Sequence, residues 1–286
     1  MRFSGLLESS EILREILYAL SFIRKICIFR ISREMLNIIC IVDGSCTQVW
    51  AHLEVTDLFK SLTVQSLDDN HLTFEMSAEI FVRALKSFSG GSFGLGAVRM
   101  KLVKRHGAPY LLLSVDDRSA NGGGKHASIF QTVPIRILRP DQFRLIKEPE
   151  TQDADVVLFM NNKLPSILNL CERYKNIGAR VQVSANNAGV LKIGVQNDHV
   201  KVDTEWSGLV AAQDTTREEA ASQRDPEEFA SVWVDAKELH NVLRIQHSVM
   251  NMIICIADGT LLNFVATVAG LDEVNNVTYY LTCFSQ

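Results

Sequence analysis

The sequence predicts an α+β fold made of two similar halves. Three observations carry that prediction. Short runs of strand length, rich in Ile, Val and aromatic residues, recur along the chain between turn residues. Only four segments place apolar residues at helical spacing. The order of these elements in the first half is repeated in the second. A parallel fold needs a crossover helix between most strand pairs, and four helices are too few. The expectation is therefore antiparallel sheet with a few helices packed on it.

In the first half, Arg2–Gly5 reads as a short opening strand. Ser9–Ile23 follows as a helix with its stripe at Ile12, Leu13, Ile16, Leu17, Leu20 and Ile23. Three β-rich runs come next, Ile26–Ile31, Met35–Ile41 and Gln48–Glu54, with an Asp43-Gly44 hairpin signal between the last two. Weaker strands are expected near Leu62–Ser66 and His71–Met76. Helix Ala78–Phe88, with Ser77 as its N-cap, precedes strands Val98–Lys104, Tyr110–Val115 and Ser128–Val133.

The second half opens with strand Asp155–Met160 and helix Leu164–Asn176. Strands Arg180–Ser184, Val190–Val195 and Val200–Trp206 follow. Strand Phe229–Val234 leads into helix Ala236–Ile245, capped by Asp235. Strands Val249–Ile256, Leu261–Val268 and Val277–Phe284 close the chain. Length agrees, since 286 residues at roughly 150 per domain gives two domains. The expected limits are 1–133 and 150–286, with 134–149 between them. Three prolines in Pro134–Pro149 argue for an extended connector, and its apolar Ile137, Leu138 and Phe143 argue that it lies against a domain. Residues 207–228 are expected to form a disordered loop, because Gln213–Glu228 holds six acids and few large apolar residues. Ser119–Lys125, with its triple glycine, is expected to be a mobile loop.

Composition excludes several classes. Apolar residues make up 47% and charged residues 22%, so disorder over the whole chain is excluded. The net charge of -4 excludes a globally basic nucleic-acid binder. No apolar run approaches the roughly twenty residues of a membrane helix, and acids and Arg14 interrupt the N-terminal run as they would not in a signal peptide. The six cysteines include no C-x-x-C pair and read as reduced core thiols. A zinc set of Cys40, Cys46 and His52 fits no zinc spacing.

Catalytic signals fail in turn. Gly90-Gly91-Ser92-Phe93-Gly94 matches G-x-S-x-G in letters, but a nucleophile elbow needs a strand before it and a helix after it, and here the order is reversed. The seven histidines are scattered. Asp68-Asp69 and Asp116-Asp117 sit at strand ends, where solvated turn acids are expected. The chain reads as no enzyme, with no cofactor and no metal.

The informative signal is where the charges fall. Segments Ser9–Lys25, Ala78–Phe88, Lys163–Asn176 and Ala236–His247 hold ten basic residues against five acidic, a surplus of +5. The rest of the chain carries -9. Lys237, His240 and Arg244 are spaced as one exposed stripe on the last helix. A shared basic helical surface would bind phosphates without reading bases.

Several short matches, taken in order, carry a family resemblance. Met1-Arg2-Phe3 before a long helix is one. Ile31-Ser32-Arg33-Glu34-Met35-Leu36-Asn37-Ile38-Ile39-Cys40 after Lys25-Ile26-Cys27 is another. Gln48-Val49-Trp50-Ala51-His52-Leu53, Leu58-Phe59, Arg83-Ala84-Leu85-Lys86, Val133-Pro134-Ile135-Arg136-Ile137-Leu138 and Glu148-Pro149 complete the set. Together they resemble the DNA sliding-clamp superfamily, and within it the Hus subunits of the heterotrimeric nine-one-one checkpoint clamp. The likeness is strongest over Met1–Pro149.

The resemblance implies a sliding-clamp fold, with helices lining a ring and antiparallel sheets outside. It implies a nuclear, non-catalytic subunit that joins two Rad-type subunits, encircles double-stranded DNA, is loaded by a checkpoint clamp loader and recruits checkpoint kinases and repair enzymes. It implies no membrane partner. The DNA-facing candidates are Arg14, Arg83, Lys86, Lys163, Arg173, Lys175, Lys237 and Arg244. Connector residues Ile137, Leu138 and Phe143 and tail residues Tyr280, Leu281 and Phe284 would border a groove for partner peptides. Ile129, Val200 and Val202, on the expected edge strands Ser128–Val133 and Val200–Trp206, would meet neighbouring subunits. A homotrimeric replication-type clamp and a Ser92 hydrolase remain the alternatives.

Overall fold

Some strands alternate buried and open side chains, as Arg2–Leu7 and Ile26–Ile31 do, and others carry runs of consecutive buried residues, as Gln48–Glu54 and Asn276–Leu281 do. A computed structural model describes residues 1–42, 47–88, 97–116, 128–150, 153–160, 163–211 and 225–285. In chain order these form β1 (Arg2–Leu7), α1 (Ser10–Ser21), β2 (Ile26–Ile31), β3 (Met35–Ile41), β4 (Gln48–Glu54), α2 (Val55–Leu58), β5 (Phe59–Gln65), β6 (Leu72–Ser77), α3 (Ala78–Lys86), β7 (Val98–Arg105), β8 (Ala108–Asp116), β9 (Ser128–Ile137) and α4 (Pro140–Phe143). There follow β10 (Val156–Phe159), α5 (Leu164–Tyr174), β11 (Arg180–Asn186), β12 (Val190–Gln196), β13 (Lys201–Trp206), β14 (Val210–Ala211), β15 (Ala230–Asp235), α6 (Ala236–Leu243), a 3-10 turn (Arg244–His247), β16 (Val249–Ala257), β17 (Leu261–Val268), β18 (Asn276–Leu281) and β19 (Cys283–Phe284).

Two compact units result. The first holds Met1–Cys40, Trp50–Lys147 and Gly270–Asn275; the second holds Ile41–Val49, Glu148–Ala269 and Asn276–Gln286. Each places a strand, a helix, five strands, a second helix and a closing meander in the same order. In the second unit the ladders run β14-β10-β16-β17-β18 and β13-β12-β11-β15-β19. In the first they run β5-β1-β7-β8-β9 and β4-β3-β2-β6-β9. All the ladders described are antiparallel.

The closing strand of each unit joins two ladders. β9 pairs with β8 from Ser128 to Pro134 and with β6 from Ile135 to Ile137. In the second unit the same job is split: β18 pairs with β17, and β19, beyond Thr282, pairs with β15. Residues 134–137 are therefore strand and not irregular connector. Pro134 is tolerated because it sits where one ladder ends and the next begins, so its missing N–H interrupts neither.

Each helix pair packs its apolar stripe inward. Leu13, Ile16, Leu17 and Leu20 of α1 and Phe81 and Leu85 of α3 are buried, as are Ile167 and Cys171 of α5 and Leu239 and Leu243 of α6. Each such large side chain contributes about 1.5–3 kcal/mol. Both expected N-caps are formed. Ser77 Oγ accepts from the Ile80 amide at 3.3 Å, and Asp235 Oδ1 accepts from the Lys237 and Glu238 amides at 2.8 and 3.0 Å.

Some expectations change. The first helix stops at Ser21, and α2 and β14 are additional elements. Within 207–228, Val210 and Ala211 pair with Phe159 and Leu158, so this part is ordered strand; 212–224 lie outside the described residues. So do the Asp43-Gly44 hairpin, the G-x-S-x-G segment with Ser92, and the triple-glycine loop. Asp69 and Asn70 have positive φ in the β5–β6 turn. No helix among the described residues is long and apolar enough to cross a membrane.

Candidate nucleic-acid interface

The basic candidates fall on the outward faces of the two helix pairs, because the inward faces are apolar. In the first unit Arg83 and Lys86 are exposed on α3, and Arg14 is half-buried on α1. Arg83 forms an ion pair with Glu79 at 2.6 Å, and Arg14 lies 4.0 Å from Glu15. Between the helices runs a groove of about 680 Å³, lined by Arg14, Tyr18, Phe22, Lys25, Arg83 and Lys86 among others. Tyr18, Phe22 and Lys25 were not among the expected site residues. Tyr18 falls off the apolar stripe of its helix, which is the signal that could have found it.

The second unit has a different contact between its helices. Lys163 precedes α5, Arg173 and Lys237 are exposed, and Lys175 and Arg244 are half-buried. His240, expected on an exposed stripe with Lys237 and Arg244, is instead 4% exposed. Its Nε2 lies 3.4 Å from Glu172 Oε2, and Glu172 holds Lys175 at 3.1 Å. Helix α6 packs closely enough on α5 to turn the imidazole inward, so spacing alone misplaced it. Burial and the Lys175 charge hold the His240 pKa below its ordinary value. The hydrogen bond and charge of Lys175, then His240, lower that of Glu172. Lys86, Lys163, Arg173 and Lys237 have no carboxylate partner among the described residues.

The two expected edge strands each have an open backbone side, as do the end strands β5 and β14. β13 ends its ladder, and Ser128–Val133 of β9 has β8 on one side and no ladder on the other among the described residues. Ile129 is half-buried there, beside Phe130, which is 61% exposed. Val202 lies in β13 opposite Val195. Val200 is not in the strand: it closes a turn on Asn197, whose Oδ1 accepts its amide at 2.8 Å. Lys201, Asp203 and Glu205 share the exposed face of β13, and Trp206 and Thr204 tie it to α5 through Ser166 Oγ and the Tyr174 hydroxyl.

The partner-groove candidates divide. Leu138 is buried in the first unit, whereas Ile137 and Phe143 are half-buried, Phe143 beneath the Arg30 guanidinium at 4.4 Å. Tyr280 and Leu281 are buried in the second unit, and the Tyr280 hydroxyl donates to Glu148 at 2.9 Å. Burial raises the Tyr280 pKa. Phe284 is half-buried under the Arg180 guanidinium at 4.2 Å. Side chains already covered within the chain cannot also grip a peptide, which narrows the set to Ile137, Phe143 and Phe284.

No cluster of three or more metal-ligating side chains occurs among the described residues. Cys40 Sγ lies 3.0 Å from Cys27 Sγ, and His52 Nδ1 lies 3.0 Å from Asn37 Oδ1. Cys171 is pushed up to about 12 by burial, as suits a core thiol.

A sequence profile described as Hus1-like protein matches residues 1–285. The chain belongs to the Hus1-like family. Among curated relatives, Checkpoint protein hus1 of Schizosaccharomyces pombe is 30% identical over 292 residues, 99% of each chain. The Dictyostelium discoideum homolog is 27% identical over 98% of each. Checkpoint protein HUS1 of Homo sapiens is 27% identical over 75% of each. Among solved structures, Proliferating Cellular Nuclear Antigen of Entamoeba histolytica superposes with a TM-score of 0.71 over 100% of both chains at 11% identity. The protein of the same name from Thermococcus kodakaraensis gives 0.66 over 99% and 100% at 14% identity. This Hus1-like chain therefore has the sliding-clamp fold, and the expected fold and family both hold.

Proposed function

We propose that this chain is the Hus subunit of a heterotrimeric checkpoint clamp. It encircles double-stranded DNA in the nucleus, joins two different Rad-type subunits, and recruits checkpoint and repair factors after loading by a clamp loader. It acts as a scaffold without catalysis. What carries the reading is the charge placement. A chain of net charge -4 concentrates a surplus of +5 on four helical segments, and Lys86, Lys163 and Lys237 there have no carboxylate partner among the described residues. Membership of a family whose relatives are named checkpoint proteins, and the clamp fold, support it.

The test is charge reversal at Arg83, Lys86, Lys237 and Arg244 in the assembled ring. Phosphate contacts release counterions, so binding falls with salt at a slope of about 0.9 per contact. The variant is expected to assemble normally yet lose retention on gapped circular DNA, with a salt slope shallower by up to about 3.6 if each of the four residues meets one phosphate. Unchanged retention removes the basic-lining reading. A self-trimer of the purified chain, seen by mass measurement, supports the replication-type alternative instead.

A further inference from the structure

We propose that the groove between α1 and α3 binds an unpaired DNA nucleotide, with Tyr18 stacking on the base and Lys25 and Lys86 holding its flanking phosphates. This rests on the reading that the chain works on DNA. It goes beyond it, because duplex phosphates need no aromatic surface. The groove holds about 680 Å³, within the range of small-ligand sites. Tyr18 is 55% exposed, and its ring is braced edge to face by Phe22 at 4.9 Å. An exposed tyrosine fixed by a second ring is a stacking platform that any base can use.

The charges select the occupant. Arg83 and Arg14 are engaged by Glu79 and Glu15, whereas Lys25 and Lys86 have no ion pair among the described residues. An acidic peptide could meet the lysines but would leave the exposed Tyr18 ring without a stacking partner. A nucleotide brings one phosphate per base, which the two lysines neutralise. The groove thus suits a base with phosphates on either side, as at the single-stranded stretch of a gap.

The test compares three probes on the full chain in its co-purified assembly. They are a short oligodeoxycytidylate, an abasic strand of equal length, and a duplex. The cytidylate strand is expected to bind about tenfold tighter than the abasic one, the gain typical of a stacked base. Tyr18→Ala erases that difference; Tyr18→Phe and Tyr18→Trp preserve it. Tyr18 is exposed, so these variants fold. Equal binding of the two strands, or a difference that survives Tyr18→Ala, overturns the inference while leaving duplex binding intact. Binding of a polyglutamate peptide as tight as that of the strand also overturns it. Failure of the wild type to bind duplex at all is a separate result, and it overturns the function proposed above.

Discussion

The two units share one topology but use their helix pairs differently. In the first, α1 and α3 leave a groove with an aromatic floor. In the second, the corresponding helices α5 and α6 are bridged by His240 and Glu172. The smaller cavity near α5, about 170 Å³, is lined mainly by Leu164, Pro165, Val249, Met250 and Met252 and not by cations. Duplication fixes ladders and caps, because these rest on backbone hydrogen bonds. It leaves the outward helix faces free to diverge.

The largest expected effect separates the units by their edges. Ile129→Pro breaks up the edge strand of the first unit by removing its donor to β8, and Val202→Pro does the same to β13 in the second by removing its donor to β12. Each is expected to abolish association with one neighbouring subunit and to spare the other in pairwise pull-downs. Phe130→Asp, on an exposed side chain, is expected to reproduce the first loss without touching the ladder. If either proline variant loses both neighbours while its circular dichroism is unchanged, the two edges are not separate contacts.

A smaller effect concerns pH and the second unit alone. His240 faces Glu172 and Lys175 of α5 and lies within reach of the Arg244 charge. Its folded pKa lies below the unfolded value, so the unfolded chain takes up the proton first. Stability is expected to be unaffected well above about pH 6.5 and to fall as pH drops below it. Glu172, also lowered, adds a loss of the same sign at more acidic pH. Thermal melts should show His240→Gln with a shallower decline than the wild type below pH 6.5. An identical pH slope in the two proteins would falsify the assignment.

The smallest effect compares the caps. Asp235 accepts two amide bonds and Ser77 one longer bond. Alanine is expected to cost about 1 kcal/mol at Ser77 and up to about 2 kcal/mol at Asp235, measured by denaturant unfolding. The reverse order would mean that helix context outweighs the count of bonds.

Much of this was legible in the sequence, for reasons that individual elements make plain. β2, β3, β4 and β17 match the expected limits residue for residue, since a strand-length run rich in β-formers between turn residues is a local signal. β14 escaped because two residues show no periodicity; its ladder with β10 creates it. Pro134 misled because proline punctuates a chain read locally, and only the handover between β8 and β6 makes it tolerable there. His240 was misplaced because helical spacing gives an angle and not the distance of the neighbouring helix. The basic surplus was visible from where the charges fall along the chain, but the groove beside Tyr18 depends on how α1 meets α3, which no motif records.

The open stretch of β9 and the whole of β13 each run for six residues. At about 3.3 Å per residue, each is a ruler of about 20 Å. On β9 the ruler has a hard stop, because β6 occupies the ladder from Ile135 onward. A strand laid along it cannot slide past that point, and a slip of one residue would turn its side chains to the wrong face. Length and stop together would set the register of a neighbour before any side chain is read.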